Sequence, residues 1–315
     1  MLGLVLRRVV FSLGALLFVS FVLFVLTAAI PVSPARAVLG FQATETQVHQ
    51  FDHEHGLDRP LVVQYGAWLG PVLHGELGKS LVTDLNMNQE IARTLPITLE
   101  LVCLAFAFAV GISILLGTVS ALYEGRLIDH AARMLAVLGV SVPGFWLALL
   151  LILLFAVDLP WFPPGGIAPI SGGIAEHVRS LVLPVFCLAV FYVAILSRMT
   201  RSSLVEVLSQ DYIRTARATG LRRPLVLRYA LKNALVPVVT VAAMSFGYMF
   251  GWALIIETVF NIGGMSGALL DAINQRDYAL VRAVVLVFTM IFLAANLLAD
   301  ILNAWLDPRL GKAPR

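Results

Sequence analysis

Metal-ligating side chains crowd one short stretch of the chain, with His49, Asp52, His53, Glu54 and His55 close together. Imidazole and carboxylate groups hold divalent cations, and His49 and His53 stand one helical turn apart. The same spacing describes a polar helix face turned to water, and on that reading the chain holds no metal. Gly78-Lys79-Ser80 has the ending of a phosphate-binding loop, in which backbone N–H groups and a lysine cradle a nucleotide. Such a loop needs glycine five residues before Gly78, and Leu73 stands there. The two cysteines, Cys103 and Cys187, lie in apolar runs and suggest neither a disulfide framework nor a zinc site. No nucleophile elbow and no paired histidine-and-glutamate motif appears. The chain is therefore read as having no catalytic residues and no cofactor of its own.

The elements that carry these residues are dominated by apolar side chains. Of 315 residues, 59% are hydrophobic and 13% charged. A soluble domain has about 45–50% apolar and about 25% charged residues. A water-soluble fold could not hide so much apolar surface, so the chain is expected to be an all-α integral membrane protein. A spanning helix needs about 20 apolar residues. Six runs qualify, at 9–30, 97–120, 134–157, 181–200, 234–256 and 283–305. The first is too long for the core of a cleaved signal peptide. Prolines 143, 184 and 237 are expected to kink helices or to start them.

Residues 31–94 differ in kind, with turn formers, charges and most of the histidines. Thr44 to Gly56 predicts a short helix, with a capping box from Thr44 and Gln47 and a glycine close at Gly56. Val48, Phe51 and His55 would share one face. The expected organisation is an N-terminal tail and first span (1–30), an extracytoplasmic segment (31–94), a five-helix core (95–305) and a tail (306–315). Orientation follows from the cations. Fifteen lysines and arginines fall in the tails and in the 121–133 and 198–232 loops, against seven on the other side. Both termini are thus expected in the cytoplasm. Glu100, Asp158, Glu257 and Asp300 lie towards span ends, and the span centres lack ionisable groups. This argues against a carrier that relays protons or sodium through the membrane. If ATP drives the protein, another subunit must bind it.

The most informative loop reads Asp211-Tyr212-Ile213-Arg214-Thr215-Ala216-Arg217-Ala218-Thr219-Gly220-Leu221. Ser209 or Asp211 could cap a helix there, and Gly220 could end it. About ten residues make a helix of about 15 Å, too short to cross a bilayer but suited to docking in a groove. The small residues Thr215, Ala216, Ala218 and Thr219 allow close approach. Without further information, a basic loop that sets topology or touches anionic lipid explains it equally well.

With Ala230-Leu231-Lys232-Asn233-Ala234-Leu235-Val236-Pro237, this stretch resembles the EAA loop of ABC importer permeases. More narrowly it resembles the dipeptide/oligopeptide/nickel permease family, and the long first outer loop resembles its B-type member. Further matches follow in order along the chain: Gly56-Leu57-Asp58-Arg59-Pro60-Leu61, Gly75-Glu76-Leu77-Gly78-Lys79-Ser80, Leu95-Pro96-Ile97-Thr98-Leu99-Glu100, Ser141-Val142-Pro143-Gly144-Phe145-Trp146, Glu257-Thr258-Val259-Phe260, Arg276-Asp277-Tyr278 and Asp307-Pro308-Arg309. Departures are Pro31-Val32-Ser33-Pro34 in place of a Pro-Gly-Asp-Pro turn, Gly263 in place of proline, and a slightly shorter loop after Gly220.

The resemblance implies a type I ABC importer permease fold with six transmembrane helices, in a bacterial cytoplasmic (inner) membrane. It implies a coupling loop, 201–232, in which Asp211, Tyr212, Arg214, Thr215, Ala216, Arg217, Ala218, Gly220 and Leu221 meet an ATP-binding subunit. The partners implied are a second, C-type permease, one or two ATP-binding subunits carrying ATP and magnesium, and an extracytoplasmic solute-binding protein. Membrane lipid surrounds the chain, and nucleic acid has no place. Ser141, Tyr192, Ser245 and Tyr248 are candidates for the solute path, although each also fits an ordinary helix–helix hydrogen bond. Glu257 and Asn261 are candidates for contact with the binding protein. Gly247 and Gly251 form a small-residue packing pair. The rival reading is a carrier or channel that works alone.

Overall fold

The structure is a computed structural model and describes residues 2–30, 34–40 and 42–306. The turn at 31–33 and the 307–309 match, with the last cations, lie outside the described residues. Twelve α-helices are present among the described residues: α1 Leu2–Ala28, α2 Pro34–Leu39, α3 Glu45–Glu54, α4 Leu61–Leu73, α5 Met87–Leu122, α6 Leu127–Ser141, α7 Gly144–Ile152, α8 Ile174–Leu208, α9 Asp211–Ala218, α10 Arg223–Val259, α11 Met265–Asn274 and α12 Tyr278–Leu306. No strand is present among those residues.

Five helices among the described residues are long and apolar enough to cross a membrane, or six where a bent pair is counted as one span. The pair is α6 followed by Gly144–Asp158, bent by 97°. The apolar run at 134–157 is thus not one straight helix but two. Pro143 causes the break, because it lacks an N–H and pushes the residue before it out of the helical region. Val142 accordingly sits at φ −82° and ψ 123°. Pro184 and Pro237 lie within α8 and α10 instead. Helices α5, α8 and α10 run 36, 35 and 37 residues, well beyond the about 20 that a bilayer needs. The expected loop at 198–232 is therefore largely helical, made of the end of α8, all of α9 and the start of α10.

The chain divides into two compact units, one centred on Leu99–Ile262 and the other formed by Val9–Thr98 with Gly263–Leu293. In the second unit, Met87, Ile91, Met265, Ala272, Leu280 and Val284 build a buried cluster. Two of the sequence strings meet beside it. Ser80 donates its hydroxyl to Asp277, and the other carboxylate oxygen of Asp277 accepts the Leu280 N–H at 3.1 Å, capping α12. The Thr98 hydroxyl accepts the Met265 N–H at 2.7 Å. Arg282 lies over the rings of Phe24 and Trp68, 4.8 and 5.7 Å from their centroids.

The short helix expected at Thr44–Gly56 is α3, with the capping box of Thr44 and Gln47 in place. Gly56, at φ +65°, closes it, and the Leu57 N–H bonds to the Asp52 carbonyl at 2.7 Å. The Phe51 and His55 rings stack at 4.0 Å. His53 Nδ1 pairs with Asp58 at 2.8 Å. That hydrogen bond holds the Asp58 carboxyl below the ordinary carboxylate range. Among the described residues, no group of three or more His, Cys, Asp or Glu side chains is placed to hold a metal.

Candidate functional site

The first unit is organised around α8, which packs against α6, α7 and α10. Small residues set its spacing. A Cβ at Gly117 would lie 2.6 Å from Thr200 Cβ and 2.7 Å from the Ser197 carbonyl oxygen. At Gly139 the Ala194 Cβ would be 3.2 Å away. Close helix approach of this kind favours glycine in membranes.

At the far end of α8 the chain turns through Ser209 and Gln210 into α9. The cap expected from Ser209 or Asp211 is absent: Gln210 occupies the cap position without a side-chain bond, and Asp211 opens the first turn. There the Asp211 carboxylate complements the positive end of the helix dipole. The other end closes as expected. Gly220 takes φ +80°, its N–H bonds to the Arg217 carbonyl at 3.1 Å, and the Leu221 N–H reaches the Ala216 carbonyl at 3.2 Å. This pair of bonds satisfies carbonyls that a helix end leaves open.

One apolar side chain fixes this helix. Ile213 is fully buried and joins Ala121, Leu204, Val226, Ala230 and Ala234 in a core cluster. Ala216, one turn on, also packs against that cluster, as does Leu221. Ala216 and Leu221 therefore pack partly against their own unit and are only partly exposed. Asp211, Tyr212, Arg214, Thr215, Arg217, Ala218 and Gly220 are exposed. Tyr212 is held from behind, its hydroxyl accepting from Asn233 Nδ2 at 2.9 Å. The Arg214–Asp211 pair, 3.3 Å apart, is solvent-exposed and contributes little. Beside the helix, Leu122, Arg217, Leu221 and Arg223 border a cleft of about 550 Å³. Nothing in the spacing of this loop marks Ile213 as the anchor, since an apolar residue in a basic loop fits an outward contact equally well.

A charge cluster fastens the neighbouring turn to α8. Asp129 is fully buried and accepts from Arg201 Nε at 2.6 Å and Nη2 at 2.8 Å. Ser120 donates to it at 2.6 Å and the Gly125 N–H at 3.0 Å. Bidentate geometry with further donors is what makes a buried ion pair tolerable. In the sequence Arg201 is one topology charge among fifteen, and nothing there marks Asp129 as its partner.

The solute-path candidates separate. Ser141 and Tyr192 line one cavity, with Pro143, Gly144 and Trp252. Ser245 is buried and donates to the Val241 carbonyl at 2.8 Å, while Tyr248 is 57% exposed; neither lines the cavity. The expectation that Glu257 faces a binding protein fails, because its side chain is fully buried. Asn261 is exposed, and at φ +50° it closes α10 as Gly220 closes α9.

The family described as "Binding-protein-dependent transport system inner membrane component" matches residues 113–312, and its N-terminal companion matches residues 1–102. The chain belongs to this family. A Brucella abortus (strain 2308) protein named as a peptide transport system permease is 41% identical over 310 residues, covering 98% of this chain and 99% of that one. The glutathione transport system permease protein GsiC of Salmonella choleraesuis (strain SC-B67) is 36% identical over 309 residues, with 98% of each chain covered. Among solved structures, the inward-facing MetNI methionine ABC transporter aligns with 70% of this chain and 98% of that one. Its TM-score is 0.54 at 18% identity, a likeness of fold. The protein is a multi-pass permease subunit of an ABC importer.

Proposed function

We propose that this permease forms half of a solute path whose other half is a second, C-type permease. Its solutes are peptides or related small molecules brought by an extracytoplasmic binding protein. The names of its relatives support that class. One or two kinds of ATP-binding subunit, holding ATP and magnesium, supply the energy. The chain sits in a bacterial cytoplasmic membrane with both termini inside, which the placement of its cations supports.

The observation that carries this reading is α9. It is a short exposed helix fixed to α8 and α10 by Ile213 and Tyr212, so a push on its outer face passes into two long spans as rigid packing. Asp211, Tyr212, Arg214, Thr215, Arg217 and Ala218 form the surface an ATP-binding subunit would grip, and Gly220 keeps the helix at its length. The second permease would pack on the exposed stripe of α10 at Met244, Tyr248 and Trp252, where a Cβ at Gly251 would meet nothing within 4 Å of its own chain.

Gly220→Val tests the reading. A Cβ there meets no neighbour, so the cost is that of a left-handed backbone alone, about 1–2 kcal/mol. In proteoliposomes with all subunits, the variant should hydrolyse ATP and import less solute per ATP. Wild-type uptake at normal assembly would exclude the role. A carrier working alone would instead lose uptake when the proton gradient is collapsed with ATP present.

A further inference from the structure

Helix α4, Leu61–Leu73, falls in the segment expected outside the membrane, yet its composition is that of a span. None of its 13 residues is charged, and none is buried. Val62 is 73% exposed and Leu73 71%, and Leu61 and Val63 are exposed as well. A helix that is apolar all round belongs in a protein core or in lipid, and these side chains are in no core. At about 20 Å in length the helix is too short to cross the about 30 Å of hydrocarbon in a bilayer. Asp58 and Arg59 precede it, and His74 and Glu76 follow it. Both ends are thus polar, as in a helix that lies along a membrane leaflet and does not traverse it.

Its depth is set by α1. Arg7 and Arg8 bound the apolar run of α1 at one end. The about 20 residues that a bilayer needs then extend to Ala28, where the helix ends. Ser20 lies about 12 Å inside that end. The Tyr65 hydroxyl of α4 stands 2.8 Å from the Ser20 hydroxyl. Ser20 spends its own proton on the Leu17 carbonyl at 2.8 Å, so Tyr65 is the donor. A phenol at hydrocarbon depth needs such a partner, because no water is there to supply one. Phe21 and Phe24 stand edge-on to the Tyr65 ring, with centroids 5.3 and 5.6 Å away. The Trp68 ring is 5.8 Å from Phe24. One face of α4 therefore rests on the part of α1 that lies within the bilayer. Beside it, Leu17, Phe18, Phe21 and Val22 of α1 are exposed, a surface that acyl chains cover in a membrane protein. The Arg282 guanidinium sits over Phe24 and Trp68, where its long stem can carry the charge to the headgroups.

We propose that α4 is a lipid-embedded helix, sunk in the leaflet through which the second half of α1 passes. Tyr65 and Trp68 hold it to α1, and Val62, Val63 and Leu73 are turned to acyl chains. Its partner is the hydrocarbon of the bilayer and not a protein subunit. The segment between α1 and α5 is then pinned to the membrane part-way along its length. The proposal needs only the multi-pass membrane fold, whatever solute or subunits the permease works with.

Spin labelling of the complete transporter in nanodiscs tests this. Cys103, which is exposed, is replaced by serine, and the buried Cys187 stays, with the signal of that parent protein subtracted. A nitroxide is attached at Val62→Cys or Leu73→Cys. Phe18→Cys on α1 is the lipid reference and His49→Cys on α3 the water reference. All four positions are exposed, so the label displaces no packed side chain, and two sites on α4 guard against one poorly assembled variant. Collisions with oxygen, which concentrates in lipid, are compared with collisions with a water-soluble nickel chelate. Oxygen should dominate at both α4 sites, as on α1, and the chelate should dominate on α3. Dominance of the chelate at both α4 sites would overturn the proposal by placing the helix in water. An immobilised label that meets neither reagent would overturn it as well, by showing that a protein partner covers α4.

Discussion

Truncating Ile213 to alanine should separate ATP hydrolysis from transport. The side chain is fully buried in a cluster drawn from α5, α8 and α10. Removing a buried isoleucine to alanine costs about 2–5 kcal/mol. Here the cost falls on α9 before it falls on the fold. The helix has eight residues, too few to hold its shape in water without packing. At about 1.4 kcal/mol per decade, the ratio of docked to undocked α9 should drop by roughly 30-fold to several thousand-fold. A partner gripping the outer face would then move a loose segment. In proteoliposomes, Ile213→Ala should keep basal ATP hydrolysis and lose most solute uptake. Amides 211–219 should exchange with deuterium far faster, while those in the middle of α8 remain protected. Ile213→Val, at about 0.5–1.5 kcal/mol, should fall between, which separates graded undocking from failure to assemble. Wild-type uptake together with unchanged protection of α9 would refute the reasoning.

Two further substitutions test the frame behind that helix. Asp129→Ala leaves the Arg201 guanidinium, 20% exposed, without its main partner; breaking a buried pair costs about 3–5 kcal/mol, and this one should sit at the low end. The melting temperature should fall, and replacing Arg201 by methionine as well should recover part of the loss. An Asp129→Ala protein that melts as the wild type would show that the clamp is dispensable. Gly117→Ala gains about 1 kcal/mol of helix propensity but drives a Cβ to 2.7 Å from the Ser197 carbonyl oxygen. Overpacking of about 1–3 kcal/mol should win, lowering thermal stability; an unchanged or raised melting temperature would mean that α8 can move aside.

What could be read in the sequence was local. The spans were legible because a bilayer has no water to pair with backbone groups, so a crossing is built from helices of apolar residues. The caps of α3 were legible because Thr44, Gln47 and Gly56 act on neighbours a turn away. The close of α9 at Gly220 was legible for the same reason. Pro143, Pro184 and Pro237 were alike in the sequence as kinks or helix starts, and only Pro143 breaks its helix, the other two lying within α8 and α10.

Everything that depends on which face turns inward had to come from tertiary structure. Asp129 and Arg201 stand 72 residues apart, and nothing in the spacing of either points to the other. Ile213 looks like any apolar residue in a basic loop until Leu204 and Val226 are packed around it. Ser141, Tyr192, Ser245 and Tyr248 were equivalent polar residues in apolar runs. Only the bend at Val142–Pro143 and the packing of α8 brought the first two to one cavity and left Tyr192 without a partner. The sequence by itself determined the solvent and the helices, because composition and caps act within a few residues. The structure decided the anchor, the clamp and the cavity, because long-range packing selects one helix face among several that the same pattern allows.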